Sequence, residues 1–307
     1  LLDSRHMPRP EPVRAFLEAP RGEALASLVK NWQSSARFNE LRLLPGLEFE
    51  GDWANDPLLA RQAILDLLSH LPQNTWWSLA AFVNDVREKA PDFQRPAGDY
   101  DSWFIRRSGS AQFLRGFGAW DEVDGALIRY LICGPLHWLG LLDLAASGPG
   151  GPASAFRTSA WANDLWVGQP PAGLGQENQP VQVSATGIIR VGRLAPRAVR
   201  YQIARSGSWL AEEHGEYRYR ITPEALESAR KQGLRSTALV SLLRKHSSAP
   251  LPPLLLKALE RWEQAGCQAR LESVSLLRGS DPQVLAALRK TQAARHLVEE
   301  LSATAVI

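Results

Sequence analysis

The densest set of residues able to do chemistry lies between Glu224 and Lys245. Two short helix-like runs meet at a glycine there: Ala229, then Gly233 four residues on, then Leu239 six further. This spacing fits a helix-turn-helix. A small residue lets two helices cross closely, glycine takes the turn at positive φ, and an apolar residue packs beneath. Arg230, Lys231, Arg235, Arg244 and Lys245 surround the turn. A helix that reads DNA needs such cations for phosphate contacts. A plain corner between two helices with a solvated basic face gives the same pattern. A second cationic set comprises Arg190, Arg193, Arg197, Arg200 and Arg205. Arg193, Arg197 and Arg200 are spaced as on one helical face, which suits either a ladder of phosphates or a solvated surface.

Catalytic constellations are sparse. The six histidines are scattered, without an HExxH or His-x3-His pair, and neither GxSxG nor GxxxxGK[ST] occurs. No metal and no cofactor is expected. Asp121-Glu122-Val123-Asp124 reads as a helix cap with first-turn acids rather than a nucleotide site. Gly116-Phe117-Gly118 fails as a dinucleotide fingerprint, because Asp121 stands where glycine is required. Asp92, Asp99 and Asp101 gather near Tyr100 and Trp103. A hydrolase using Asp99 and Asp101 is a remote alternative, since turn and capping roles suit these residues better. Cys133 reads as core, and Cys267 has no base near it in sequence.

The elements that must position these residues follow from periodicity and caps. Helices are expected over 13–18 and 23–33, and from the Asp56-Pro57 start through Leu68. Asn74 or Thr75 is expected to cap a helix over 76–89, and Asp121 one through Ile132, broken by Gly134-Pro135. A short helix over 136–139, a strand over 141–145 and a returning strand over 155–158 complete the order of a winged helix. That order is suggestive for 121–158 and looser for 55–115. Beyond Val181 come one or two strands to Val191, a helix over 196–205 and a strand over 217–221. Thr222-Pro223 starts a helix ending near Gly233, Ser236 or Thr237 starts the next, and 254–265 forms a third. Leu271–Leu277 reads as a strand and Asp281-Pro282 as a helix start. Ala303–Ile307 reads as a strand cut short, as in a piece of a longer protein. His6-Met7 reads as a cloning junction, with residues 1–9 a tag or disordered.

Composition divides the 307 residues. The net charge of +3 sums an acidic part and a basic one. Residues 1–170 hold 16 Lys+Arg against 20 Asp+Glu, a net of −4, and residues 171–307 hold 19 against 12, a net of +7. Nine of the 11 Trp lie in the acidic part, at spacings among Leu and Phe that favour core packing over base stacking by Trp76, Trp77 or Trp103. The change falls at the Pro/Gly-rich Gln169–Gly175, read as a linker. Of 35 basic residues, 29 are Arg. That suits bidentate phosphate or carboxylate contacts, and GC-rich coding is the weightier explanation. The most apolar stretch, 126–146, contains Arg129, Asp143 and Gly134-Pro135, so no bilayer span is expected. With no secretory signal visible, a cytoplasmic location is expected.

Three stretches carry a family resemblance: Tyr217–Thr222, Ala229–Ser247, and Pro250-Leu251-Pro252-Pro253 through Leu259-Glu260-Arg261-Trp262. Their order resembles the helicase-associated domain at the N-terminus of XPB-type DNA helicases. It is similar to the "clutch" of the XPB-anchoring winged-helix subunit of TFIIH, and to bacterial proteins known as helicase-associated. The resemblance covers roughly residues 180–307, under half the chain. Residues 10–168 resemble more weakly the winged-helix region preceding this domain. The fold so implied is α+β. A tandem winged-helix-like, mainly helical part (10–168) and a linker (169–179) precede a small α+β helicase-associated domain (180–307) containing a helix-turn-helix. The function implied is a non-catalytic module of repair or transcription that binds duplex DNA or docks a helicase, with no ATPase motif of its own. A pure protein-interaction scaffold is the alternative.

Overall fold

The computed structural model describes residue 5 and residues 7–266, 275–297 and 299–306. The expected tag at residues 1–4 and 6, Cys267, and most of the expected strand 271–277 lie outside the described residues. The chain divides into two compact units. Unit 1 comprises residues 1–180 and 191–201; unit 2 comprises residues 181–190 and 202–307. The Pro/Gly-rich segment 169–179 thus falls within unit 1, and the chain crosses between units more than once.

Unit 1 begins with α1 (Pro10–Glu18) and α2 (Arg21–Gln33). Strand β1 (Leu47–Glu50) follows, then α3 (Pro57–Ser69), whose Asp56 cap accepts from Leu58 N at 2.8 Å. The next helix, α4 (Leu79–Lys89), starts later than expected, with Ser78 as its cap. Trp77–Ser78 instead forms β2, paired with Phe156 and Ala155. A strand partner some eighty residues away takes this backbone, and Asn74 turns the chain at φ +57°.

After β3 (Phe104–Arg107), antiparallel to β1, the chain enters one long helical segment. Its centre is α5 (Ala126–Leu131), flanked by wide π-type turns at Asp121–Gly125 and Ile132–Leu136. Asp121 does not cap it. Trp120 already has helical φ/ψ, and the Asp121 carboxylate accepts from Arg129 at 2.7 Å. Gly134 leaves helical geometry before Pro135, which places the kink where the sequence puts it. Strands β4 (Leu142–Ala146) and β5 (Ala153–Thr158) form a hairpin, and β2, β5 and β4 make one sheet in that order. The two stretches expected to form tandem copies therefore share a single sheet. The short α6 (Ala162–Trp166) follows.

One core holds these elements, with Val83, Ile128, Leu131, Leu136 and Phe156 buried in it. Trp32, Trp103 and Trp120 are buried there too, so most of the tryptophan excess is packing. Exposed Trp76 and Trp138 are the exceptions in unit 1. Two buried ion pairs stitch the core. Arg61, 1% exposed, forks onto Glu40 at 2.9 Å and donates to the carbonyls of Trp32 and Phe38. Arg95 forks onto Asp124 at 2.9 and 3.0 Å.

In unit 2 the sheet runs β6 (Gln182–Val183), β7 (Ile188–Gly192), then β9 (Glu216–Arg220) and β8 (Ser208–Glu213), in the spatial order β6-β7-β9-β8. Helix α7 (Arg197–Ser206) lies between β7 and β8 in sequence. Strand β8 has no counterpart in the sequence reading. It carries a register shift between Trp209 and Ala211 and lies at the sheet edge, which erases a clean alternation. His214 and Gly215, both at positive φ, close its hairpin. Three helices follow: α8 (Pro223–Lys231), α9 (Ser236–His246) and α10 (Pro253–Ala265). The described C-terminal residues form β10 (Leu277–Arg278), α11 (Pro282–Leu288), β11 (Glu300–Ser302) and β12 (Ala305–Val306). Their sheet has β12 at its centre.

Candidate nucleic-acid interface

Local chemistry fixes both ends of α8. Thr222 Oγ1 accepts from Ala225 N at 3.2 Å, and Pro223 takes the first helical position. At the other end Gly233 sits at φ +80°. Leu234 N donates to Ala229 O at 3.0 Å and Gly233 N to Arg230 O at 2.9 Å. This pair of bonds is the Schellman arrangement. An added Cβ at Gly233 would meet nothing within 4 Å, so the backbone angle alone makes the demand.

Packing then orients α9. Helix α10 packs against both α8 and α9, with Leu226, Ala229, Leu239, Leu243, Leu255 and Leu259 buried. Glu263 of α10 accepts from Ser236 N, the first residue of α9. The opposite side of α9 is a continuous exposed stripe: Thr237, Ala238, Ser241, Arg244 and Lys245. These positions repeat at helical spacing, and α9 contains no carboxylate. Arg235 stands exposed at its N-terminal end. The nine steps from Arg235 to Arg244 rise about 14 Å along the helix, against a major groove about 12 Å wide.

The sequence reading placed cations at this turn, and Arg230, Lys231, Arg235, Arg244 and Lys245 are all exposed around it. Lys231 approaches Glu227 only at 3.7 Å. The small polar residues of the stripe were missed. Their signal was present: Thr237, Ala238 and Ser241 share the face of Arg244 and Lys245, opposite Leu239 and Leu243. His246 ends the helix half-buried, and burial, followed by the neighbouring Lys245 charge, lowers its pKa.

The second cationic set does not form the expected helical face. Arg193 lies in the turn before α7, outside the helix. Arg197 is half-buried and engaged: it pairs with Glu177 at 2.8 Å, donates to Ala19 O, and lies 4.9 Å from the Phe16 ring centroid. Arg200 is half-exposed. All three belong to unit 1, whereas α8 and α9 belong to unit 2.

The aspartates of the remote hydrolase alternative are backbone acceptors. Asp99 receives Ser102 N, Ser102 Oγ and Asp101 N, and the Ser102 bonds hold its pKa below the usual carboxylate value. Asp101 receives Gly116 N at 3.1 Å. A general acid needs the opposite shift. Asp124 is spent on Arg95 and Gln94, and Glu122 on Arg107. Burial raises the Cys133 thiol above its usual pKa, against nucleophilic use. Among the described residues, no group of three or more His, Cys, Asp or Glu is placed to hold a metal ion. No helix among them is long and apolar enough to cross a membrane.

Residues 182–303 match a family model described as a helicase conserved C-terminal domain. This chain carries a helicase-associated domain. The matched domain is a non-catalytic accessory one, mixed α+β with open sheets, and it contains α8, α9 and α10. The match supports, for this domain, a general accessory or interaction role near helicase machinery. No curated protein matches the chain.

Proposed function

We propose that the protein is a DNA-binding accessory module whose helix α9 enters the major groove of a duplex, with α8 and α9 as a helix-turn-helix. The observation that carries this reading is the carboxylate-free stripe of Thr237, Ala238, Ser241, Arg244 and Lys245, with Arg235 at the opposite end. Small residues let the helix approach the bases, hydroxyls offer hydrogen bonds, and terminal cations reach phosphates. Arg230 and Lys231 on α8 extend the same cationic surface. The helicase-associated match supports an accessory role beside a helicase in general; on our reading that partner is of the XPB/TFIIH kind in repair or transcription, with this module positioning the machine on DNA. In unit 1, residues 57–158 run helix, strand, helix, strand, helix and hairpin; with β3 set aside as the partner of β1, the remaining order supports a winged-helix fold. Its third helix is largely buried and its hairpin tip, residues 147–152, carries no cation, which suits docking rather than DNA contact. Arg193, Arg197 and Arg200 are left out of the DNA surface on this reading.

The test is duplex binding as a function of salt. Five phosphate contacts give a slope of log K against log salt near about −4 to −5. The double variant Arg235→Glu/Arg244→Glu should lose roughly 10–100-fold in affinity at low salt and flatten the slope by about 2. Binding equal to the parent sinks the assignment. A stable complex with a helicase subunit alongside no DNA binding would favour the pure scaffold.

A further inference from the structure

A cleft of about 530 Å³ opens in unit 1 between the start of α3 and the loop after Phe93. Its size falls within the range of about 300–1,000 Å³ usual for small-ligand sites. Trp53 and Trp103 stack in its wall with centroids 5.0 Å apart and planes 13° from parallel. Arg42 lies 3.9 Å from the Trp53 ring and Arg95 4.2 Å from the Trp103 ring, which makes a four-layer stack of fixed position. Leu59, 51% exposed, and Pro96 supply an apolar wall.

The polar lining is rich in acceptors, while its donors are engaged. Arg95 is spent on Asp124 and on the Asp99 carbonyl, Ser102 Oγ donates to Asp99, and the Asn55 amide donates to Asn39. What is left is the charge of Asp56 and Asp99 and one orphan. Gln94 lines the cleft and is 2% exposed. Its amide nitrogen donates to Asp124 at 2.6 Å, and its Oε1 is buried without a partner. A buried acceptor without a donor is destabilising until a donor reaches it. The Arg95 charge is balanced by Asp124, so the two rim carboxylates set the sign of the cleft.

We propose that this cleft binds a cationic side chain, ammonium or guanidinium, from a basic segment of a protein partner. The aliphatic stem lies along Leu59 and Pro96, and the N–H groups of the head go to Asp56, Asp99 and the Gln94 carbonyl. The site is independent of α9 and holds whether or not the DNA reading does.

Two short capped peptides test this with the full chain: Gly-Arg-Gly, and Gly-Gln-Gly as its uncharged counterpart, titrated at fixed ionic strength. The basic peptide should bind saturably and the neutral one should not. Asp56→Asn/Asp99→Asn keeps an acceptor oxygen for each cap and removes both charges. It should weaken binding about tenfold or more. Leu59→Lys, on an exposed position, places a competing cation at the mouth and should abolish binding even if the double variant is unstable. Duplex affinity should be unchanged in each variant. Equal binding of the neutral peptide, no effect of either substitution, or no saturation by the basic peptide up to about 10 mM overturns the proposal.

Discussion

The two units use arginine in opposite ways. In unit 1, Arg61 and Arg95 are almost wholly buried, each forked onto a carboxylate and donating to backbone carbonyls. In unit 2, Arg230, Arg235 and Arg244 stand in solvent around α8 and α9. A guanidinium paired inside a core fixes loops that lack regular structure, as Arg61 does for the segment 32–40. One left on a surface gains little stability and keeps its donors for another molecule. Net charge alone did not separate these uses. The lesson is that cations count toward nucleic-acid binding only after the folded partners have been subtracted, and Arg197 shows how much that changes.

The sharpest break of this comparison is one deletion made twice. Arg61→Ala leaves Glu40 buried without its cation and should cost about 3–5 kcal/mol, read by denaturant unfolding. Arg244→Ala should stay within about 0.5 kcal/mol of the parent in the same measurement while weakening duplex binding. Equal stability losses would erase the distinction.

A smaller effect is expected at the turn. Gly233→Ala forces a side chain into a left-handed angle with open space around it, so the cost is conformational, about 1 kcal/mol. An unchanged stability would mean that the α8–α9 turn relaxes, and with it the placement of the stripe.

The smallest effect is pH-dependent. His246 has a folded pKa below its usual value of about 6.5. The neutral ring therefore favours the folded state. That contribution is complete above the usual value and is lost as pH falls through the lowered one. Between pH 7 and 5, His246→Asn should lose slightly less stability than the parent. An identical pH profile would remove His246 from the account.

Much of the helical framework was legible because its causes are local. Asp56-Pro57, Thr222-Pro223 and Asp281-Pro282 each satisfy a helix N-terminus within three residues, and all three caps form. Gly233 was legible for the same reason. The misread positions depend on residues far along the chain. Trp77 is a strand because Phe156 pairs with it, and Asp124, read as a first-turn acid, is buried where Arg95 and Gln94 claim it. Asp121 was assigned a cap that the preceding helical turn had already made unnecessary. The exposed stripe of α9 was half legible, since its cations drew attention and its hydroxyls did not.

The sequence by itself determined where helices begin, where the α8–α9 turn falls, and that the basic residues concentrate after residue 170. These follow from dihedral preference, capping and charge, which act over a few residues. Only the tertiary structure decided which arginines are spoken for, that the two expected winged-helix-like stretches share one sheet, and that Gln94, with an unpaired acceptor, lines the same cleft as Asp56 and Asp99. Those outcomes depend on burial and on partners brought together from distant positions, and nothing in local spacing records them.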